Sequence, residues 1–137
     1  MKTVIFACVH NEGRSQMAAA FFNLLADPSK ARALSAGSEP GQKVRPEVLA
    51  AMADIGVDLS SVKPQKLTEA MTREALMLIA LGTFGPVPNA PPALQRVDWP
   101  LEDPAGKSQD EVQKIRDQIA AMVAGLVQGQ DWERPPA

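Results

Sequence analysis

The stretch Thr3–Val9, with the sequence TVIFACV, is the part of the chain that decides the fold. Its side chains are nearly all apolar, most of them are β-branched or aromatic, and the run ends at the polar His10. A short continuous run of this kind is typical of a strand that is buried on both faces of a parallel sheet. The sequence therefore predicts a central parallel strand close to the start of the chain.

Helix and strand signals alternate along the rest of the sequence. Strand candidates are residues 31–36, 75–81 and 96–99, and helix candidates are residues 15–26, 46–55, 67–73 and 108–126, the last of which opens with the capping box Ser108–Glu111. Strands that alternate with helices favour right-handed crossovers. The expected fold is α/β, a three-layer sandwich in which helices flank a central four-stranded parallel sheet.

Length and composition limit the possible classes of protein. The 137 residues fit one domain, expected over residues 1–128, and residues 129–137, which include Pro135 and Pro136, are expected to form a flexible tail. A net charge of -2 argues against nucleic acid and membrane surfaces as partners. The single cysteine excludes an internal disulfide and a Cys-rich zinc site. No stretch approaches the ~18 apolar residues of a spanning helix, and the cytoplasm is the expected location.

The segment that follows the first strand, Cys8–Ser15 with the sequence CVHNEGRS, carries the candidate chemistry. Ligands of open α/β sheets bind at the carboxyl ends of the strands. A short loop that leads into a helix N-terminus directs several backbone N–H groups at one point, which is a binding site for an anion. The candidate oxyanion-binding residues are those of the loop and helix start: Val9, His10, Asn11, Glu12, Gly13, Arg14 and Ser15.

Four side chains of this segment have individual expected roles. The N–H groups that hold an anion also stabilise a thiolate at Cys8, and the planar guanidinium of Arg14 can bind two oxygens of a tetrahedral oxyanion. Ser15 can cap the helix and donate a hydrogen bond to the sulfur. Gly13 permits a left-handed turn, and Asn11 tolerates one while its amide braces the loop.

Each residue also has a simpler interpretation. A lone cysteine at the end of a strand is usually a small buried hydrophobe, and it is the combination of cysteine, glycine, arginine and serine that favours an anion loop. His10 is expected to be structural. Glu12 is expected to face solvent while its backbone N–H serves the loop.

The run from Cys8 to Ala18 resembles the Cys-x5-Arg-Ser loop of the low-molecular-weight protein tyrosine phosphatase superfamily, especially its arsenate reductase branch. Residues 35–38, 52–60 and 98–106 are also similar to segments of that family. The resemblance implies that Cys8 is the nucleophile, that Arg14 clamps the oxyanion, and that Asp103, which precedes Pro104, is the general acid. Asp98 and Glu102 remain rivals for the acid on proximity alone.

Two departures from the family pattern shape the expected function. Thioredoxin-linked arsenate reductases of the family use two further cysteines in and after the loop that follows the third strand, whereas residues 81–86 here, LGTFGP, contain none. An external low-molecular-weight thiol, with a glutaredoxin- or mycoredoxin-like protein, must then resolve the arsenic adduct. Ala105 and Gly106 follow the Asp-Pro pair, and the chain has no tyrosine. Few aromatic side chains are therefore present to pack against the phenyl ring of a phosphotyrosine substrate.

Three functions stay open at this point. The chain is an arsenate reductase that depends on an external thiol, a phosphatase that hydrolyses a phosphomonoester through a phosphocysteine, or a non-catalytic module that binds an oxyanion. No metal and no other cofactor is expected. The sequence does not decide between arsenate and a phosphoester as substrate, and it identifies neither the reducing thiol nor the oligomeric state.

Overall fold

The computed structural model describes residues 1–136 as four strands and four helices. In chain order they are β1 (Lys2–Ala7), α1 (Arg14–Leu25), β2 (Ala31–Ala36), α2 (Pro46–Ala53), α3 (Glu69–Glu74), β3 (Met77–Leu81), β4 (Gln95–Trp99) and α4 (Gln109–Gly129). Within this part of the chain, no helix combines the length and the apolar character needed to cross a membrane. The order of elements is the one that the sequence predicts.

The four strands form one parallel sheet in the order β2-β1-β3-β4. Helices α1, α2 and α4 cover one face through the larger apolar cluster, and α3 with residues 84–94 covers the other through Ile5, Ala7, Leu78, Ala80 and Phe84. The predicted α/β sandwich of three layers is therefore confirmed. Ala7 pairs with both Ala36 and Ala80, so the loops after β1, β2 and β3 leave the sheet at the same edge.

The apolar core follows the helical and strand periods of the sequence, with one exception. Val4, Phe6 and the rest of β1 from Thr3 onward are buried, and α4 buries Val112, Ile115, Ile119 and Val123. The helical period places Ile55 on the buried face of α2, but this residue is 45% exposed. Helix α2 ends at Ala53, so the helical period no longer applies at Ile55, and the smaller Ala51 is buried instead.

Residues beyond 128 contact the core. Trp132 is buried and its ring lies 5.8 Å from that of Phe22, edge to face. Its carbonyl accepts a hydrogen bond of 2.7 Å from the N–H of Asp27, and Arg134 donates to the carbonyl of Leu24. Residues 132–134 thus pack against α1, whereas Ala137, the last residue of the expected tail, lies outside the described residues. The domain boundary at residue 128 stays a proposal.

The capping box that starts α4 gives a prediction about stability. Ser108 Oγ accepts from the N–H of Glu111 at 3.2 Å, and the Ser108 N–H donates to Glu111 Oε1 at 3.3 Å. We expect Ser108→Ala to lower the free energy of unfolding by about 1 kcal/mol at neutral pH, because the N-cap acceptor is lost. Urea denaturation measures this change, with the exposed turn residue Ser61→Ala as the matched control that leaves it nearly unchanged.

The same interaction fixes the pH dependence of the effect. The hydrogen bond from the Ser108 backbone holds the pKa of the Glu111 carboxyl below its ordinary value of 4.5, and the Ser108 hydroxyl lowers it further. A lowered pKa in the folded state gives stability that is present above the unfolded pKa and is lost as the pH falls. Alanine at position 108 keeps the backbone N–H and loses only the hydroxyl, so the difference between Ser108→Ala and the wild type should shrink below pH 4.5 without vanishing; a difference that grows there would contradict the assignment.

Candidate active site

The loop between β1 and α1 turns its carbonyl groups away from a common point. Successive carbonyls accept hydrogen bonds from the surrounding chain: Val9 O from Glu39 N at 2.8 Å, His10 O from Gly41 N at 3.0 Å, Asn11 O from Gln16 Nε2 at 3.2 Å, Glu12 O from Arg45 N at 3.0 Å, and Gly13 O from Met17 N at 3.0 Å. The N–H and carbonyl of a peptide unit point in opposite directions. The N–H groups of these peptide units therefore point away from those partners, and they are the groups that we expect to meet an anion.

Backbone geometry at the loop agrees with one prediction and corrects another. Asn11 has a φ of 53°, the left-handed conformation that its side chain tolerates. Gly13 has a φ of -149°, so it is not the left-handed residue. Its lack of a side chain instead leaves room for Pro104, whose Cγ would lie 3.0 Å from an added Cβ.

Gly37, directly after β2, allows the neighbouring loop to approach. An added Cβ would lie 2.6 Å from the carbonyl oxygen of Val9 and 3.0 Å from Cβ of Asn11. Only glycine fits at this distance. The similarity of residues 35–38 to the family segment thus has a steric reason.

The sulfur of Cys8 has a fixed polar environment. Cys8 Sγ lies 2.8 Å from Ser15 Oγ, and Asn11 Nδ2 donates to the same oxygen at 2.6 Å. Asn11 Oδ1 accepts from the N–H of Gln65 at 2.9 Å and from Gln16 Nε2 at 3.1 Å, which fixes the orientation of the amide. Because Ser15 Oγ accepts from Asn11, its own hydrogen is free to point at the sulfur.

Ser15 therefore has only one of its two expected roles. Helix α1 begins after Gly13, and no side chain caps it. The hydroxyl of Ser15 is already engaged by Cys8 and Asn11, and it is fully buried. The expected hydrogen bond to sulfur is present, and the expected helix cap is not.

Arg14 lies beside the cysteine in a small inner recess. Its Nη1 donates to the carbonyl of Leu101 at 2.9 Å, and its Nη2 lies 3.9 Å from Asp103 Oδ2, with the side chain only 11% exposed. The inner recess has a volume of about 30 Å³ and is lined by Cys8, His10, Glu12, Gly13, Arg14, Arg45, Asp103, Pro104 and Ala105. The structure thus brings together Cys8, Arg14 and Asp103, the three residues with the main expected roles.

The three candidate acids occupy different positions. Only Asp103 lines the inner recess, where its Oδ1 accepts from the N–H of Ala105 at 2.9 Å. Asp98 is paired with Arg96 at 3.0 Å, and Glu102 is paired with Lys107 at 3.4 Å. The geometry favours Asp103 over both rivals.

His10 and Glu12 lie at the rim of the recess. His10 Nδ1 is 3.0 Å from the carbonyl oxygen of Glu39, a contact that supports the structural interpretation. The expectation that Glu12 faces solvent needs correction, because this residue is half-buried and its carboxylate lies against Gly41, where an added Cβ would be 2.5 Å from Oε2. The missing side chain of Gly41 provides the space that the Glu12 carboxylate occupies.

Sequence reasoning missed two residues that shape the site. Arg45 lines the inner recess and binds Glu47 through Nε at 2.9 Å, and the backbone of Gln65 orients Asn11. Both come from loops distant in sequence, so no local pattern marks them. The only signal was the position of Arg45 directly before Pro46 at a helix start.

A larger outer cavity of about 860 Å³ adjoins the inner recess. It is lined by Val9, His10, Arg14, Gly82, Thr83, Asp98, Pro100, Leu101, Glu102 and Asp103. The imidazole of His10 is the only aromatic ring among these side chains. Trp99 is nearby in sequence, but its ring packs against Phe6 at 5.9 Å. The outer cavity can hold a molecule much larger than a tetrahedral oxyanion, and its lining is mainly polar and aliphatic.

Comparisons with known proteins agree with this geometry. The family described as low molecular weight phosphotyrosine protein phosphatase matches residues 3–84. An arsenate reductase of Bacillus cereus (strain G9842) is 32% identical over 120 residues, which are 86% of this chain and 88% of that protein.

Two solved structures extend the comparison. A thioredoxin-dependent arsenate reductase of Corynebacterium glutamicum is 31% identical with a TM-score of 0.77, over 94% of this chain and 61% of that one. An arsenate reductase in the phosphate binding state is 31% identical with a TM-score of 0.81, over 94% of this chain and 98% of that one. The chain belongs to the low molecular weight phosphotyrosine protein phosphatase family, in its arsenate reductase branch.

Proposed function

We propose that this protein reduces arsenate, with Cys8 as the nucleophile and an external thiol as the reductant. The observation that carries the proposal is the position of Cys8 Sγ, 2.8 Å from Ser15 Oγ in a recess that it shares with Arg14. The N–H groups of the loop supply the remaining contacts for an oxyanion. The relatives named as arsenate reductases support this choice of substrate.

The first step forms a bond between sulfur and arsenic. The Cys8 thiolate attacks arsenic, and one arsenate oxygen leaves as water after it receives protons, one of them from Asp103. Arg14 and the backbone N–H groups hold the remaining oxygens and their negative charge. Asp103, which faces the same inner recess as Cys8, is in position for this transfer.

The second step requires a thiol from outside the chain, because Cys8 is the only cysteine. An external thiolate attacks the Cys8 sulfur, the electron pair of the S–As bond stays on arsenic, and arsenite leaves with a mixed disulfide behind. A second thiol, free or on a glutaredoxin- or mycoredoxin-like protein, then releases Cys8. The net reaction consumes arsenate and two thiols and yields arsenite, one disulfide and water.

The outer cavity fits the external thiol. Its volume of about 860 Å³ is in the range of sites for small organic molecules, and it opens beside Arg14 and Asp103. The Corynebacterium glutamicum relative is a thioredoxin-dependent enzyme. A single-cysteine chain forms no internal disulfide for a thioredoxin to reduce, so we assign a small thiol to the first resolving step and place the reaction in the reducing cytoplasm.

Hydrolysis of a phosphomonoester is the second candidate. It needs only Cys8, Arg14 and Asp103, because water activated by Asp103 resolves a phosphocysteine without another thiol. The side chains that line the outer cavity include no phenyl or indole ring that could stack against a phosphotyrosine. A small phosphoester therefore fits this candidate better than phosphotyrosine.

A paired assay separates the candidates. Arsenite release is measured with arsenate and each of several low-molecular-weight thiols, with and without a redoxin, and p-nitrophenyl phosphate hydrolysis is measured at mildly acidic pH. Arsenite that appears only with a thiol supports arsenate reduction. Strong phosphatase turnover without arsenite under every thiol system overturns it. If phosphate raises the melting temperature while neither product forms, the protein is an oxyanion-binding module.

The assignment of the general acid gives a prediction for the same assay. We expect Asp103→Asn to lower the rate of the first chemical step by about a hundredfold, since the amide cannot protonate the leaving oxygen. Asp98→Asn and Glu102→Gln, at the two rival positions, should keep most of the turnover. Single-turnover kinetics with saturating thiol measures the step. A larger loss in either rival variant than in Asp103→Asn would reassign the acid.

A further inference from the structure

His10 lies where the inner recess meets the outer cavity. His10, Arg14 and Asp103 are the residues that line both of them. In the proposed reaction Arg14 holds the oxyanion and Asp103 protonates the leaving oxygen, whereas His10 contributes only its backbone. A thiol that moves from the outer cavity to Cys8 passes these three side chains. The imidazole of His10 is therefore the group at this junction whose chemistry the proposed reaction leaves unused.

One hydrogen bond fixes the position of the proton on the His10 ring. Nδ1 lies 3.0 Å from the carbonyl oxygen of Glu39, and because a carbonyl oxygen can only accept, Nδ1 donates. The N–H of Glu39 donates to Val9 O at 2.8 Å, which ties the acceptor to the same loop. In the neutral ring the lone pair is then on Nε2, which makes no hydrogen bond within residues 1–136. The exposed side chain of His10 thus offers a base.

The resolving step needs a base because the external thiol must lose its proton to attack. The thiolate is the nucleophile, and most alkyl thiols are largely un-ionised at neutral pH. Imidazole takes up a proton near neutral pH, and it is a much stronger base than a carboxylate. Two carboxylates of the outer cavity are also engaged by cations, Asp98 by Arg96 at 3.0 Å and Glu102 by Lys107 at 3.4 Å. Imidazole is therefore the better acceptor for the thiol proton.

We propose that His10 is the general base of the resolving step, an inference that rests on the proposed function. As the external thiol attacks the Cys8 sulfur, Nε2 takes the thiol proton and the S–S bond forms. The S–As bond breaks and its electron pair stays on arsenic, so arsenic is reduced while both sulfurs are oxidised to the disulfide. The proton on Nε2 passes to an oxygen of the departing arsenite, which returns His10 to its starting form.

His10→Asn tests the proposal because it removes the base and keeps the contact with Glu39. The asparagine amide nitrogen takes nearly the place of Nδ1 and can donate to the same carbonyl, but the amide is not basic. Arsenite release at saturating arsenate and varied thiol gives kcat/KM for the thiol, which reports the resolving step. Two small uncharged thiols serve as probes at mildly alkaline pH: mercaptoethanol, which is mostly un-ionised there, and trifluoroethanethiol, which is mostly ionised.

The two thiols should respond differently to the loss of a base. We expect His10→Asn to lower kcat/KM for mercaptoethanol about tenfold or more, and to keep that for trifluoroethanethiol within about threefold, since only the first thiol needs the base. The small ionised fraction of mercaptoethanol can attack without help, and this limits the loss. Thr83→Ala is the matched control, because Thr83 is an uncharged, exposed residue of the same cavity. It should change both values by the same factor.

The ratio of the two losses decides the result. A loss with mercaptoethanol that exceeds the loss with trifluoroethanethiol by less than about threefold overturns the proposal, whether both rates fall together or neither falls. A joint fall would give His10 only a structural role. A wild type that releases no arsenite with either thiol would contradict the proposed function itself. That outcome differs from an active wild type whose His10→Asn variant treats the two thiols alike.

Discussion

Cys8→Ser should abolish product formation, with turnover lowered at least about a thousandfold, while phosphate binding stays within a few-fold of the wild type. A serine hydroxyl is far less ionised and less nucleophilic than a thiol in the same place. The loop carbonyls, Arg14 and the hydrogen bond between Asn11 and Ser15 do not depend on the sulfur, so the anion contacts should persist. Arsenite release measures the first effect, and the shift of melting temperature with added phosphate measures the second.

The outcome distinguishes an enzyme from a binding module. Ala20→Ser, at a partly buried position on α1 away from the recess, controls for the general effect of a new hydroxyl group in the domain. Residual turnover of Cys8→Ser close to that of the wild type would exclude Cys8 as the nucleophile. Loss of phosphate binding together with loss of activity would mean that the sulfur holds the loop in shape.

Arg14→Lys should lower kcat/KM for arsenate about a thousandfold although the positive charge is kept. The guanidinium donates to Leu101 O through Nη1 and still has further N–H groups in a plane for two oxygens of the oxyanion. A lysine offers one ammonium group, which cannot bind Leu101 O and two ligand oxygens in the same geometry. Steady-state kinetics with varied arsenate and a saturating thiol measures the loss.

Arg73→Lys is the control for this substitution. Arg73 is exposed on α3 and makes only a distant ion pair of 3.8 Å with Glu69, so its replacement should leave kcat/KM unchanged. If Arg14→Lys kept more than a tenth of the wild-type kcat/KM, the positive charge alone would account for the role of Arg14, and bidentate binding of the oxyanion would be excluded.

The fold was predictable because its signals are local. The buried run of β1, the capping box of α4 and the alternation of elements each depend on neighbours in sequence, and parallel pairing follows from that alternation. Ile55 was misplaced because a helix end shifts by one or two residues without changing the pattern. The contact of Trp132 with Phe22 joins two distant parts of the chain, so no local pattern in the tail shows where this side chain packs.

The residues of the candidate site also fall into two groups, those that a local motif marks and those that contacts between distant segments bring into place. Cys8, Arg14 and Ser15 were identified because one short motif contains them, and Asp103 was identified only through the resemblance to a family. The orientation of Asn11 by Gln65 and the close approach of the Arg14 guanidinium to Gly82, directly after β3, arise where the ends of different strands meet. The contact of the Glu12 carboxylate with Gly41 was not predictable for a similar reason, since nothing in the segment around Glu12 reveals the space at Gly41.

The outward hydrogen bonds of the loop carbonyls have a consequence for selectivity. These bonds form when the chain folds, so the loop between β1 and α1 has its shape before any ligand binds. The loop then recognises only the shape and charge of a tetrahedral oxyanion. Arsenate and phosphate share both properties. Binding alone therefore discriminates little between them, and inorganic phosphate should act as a competitive inhibitor. Discrimination would come from the later electron transfer, which arsenic accepts from thiols and phosphorus does not.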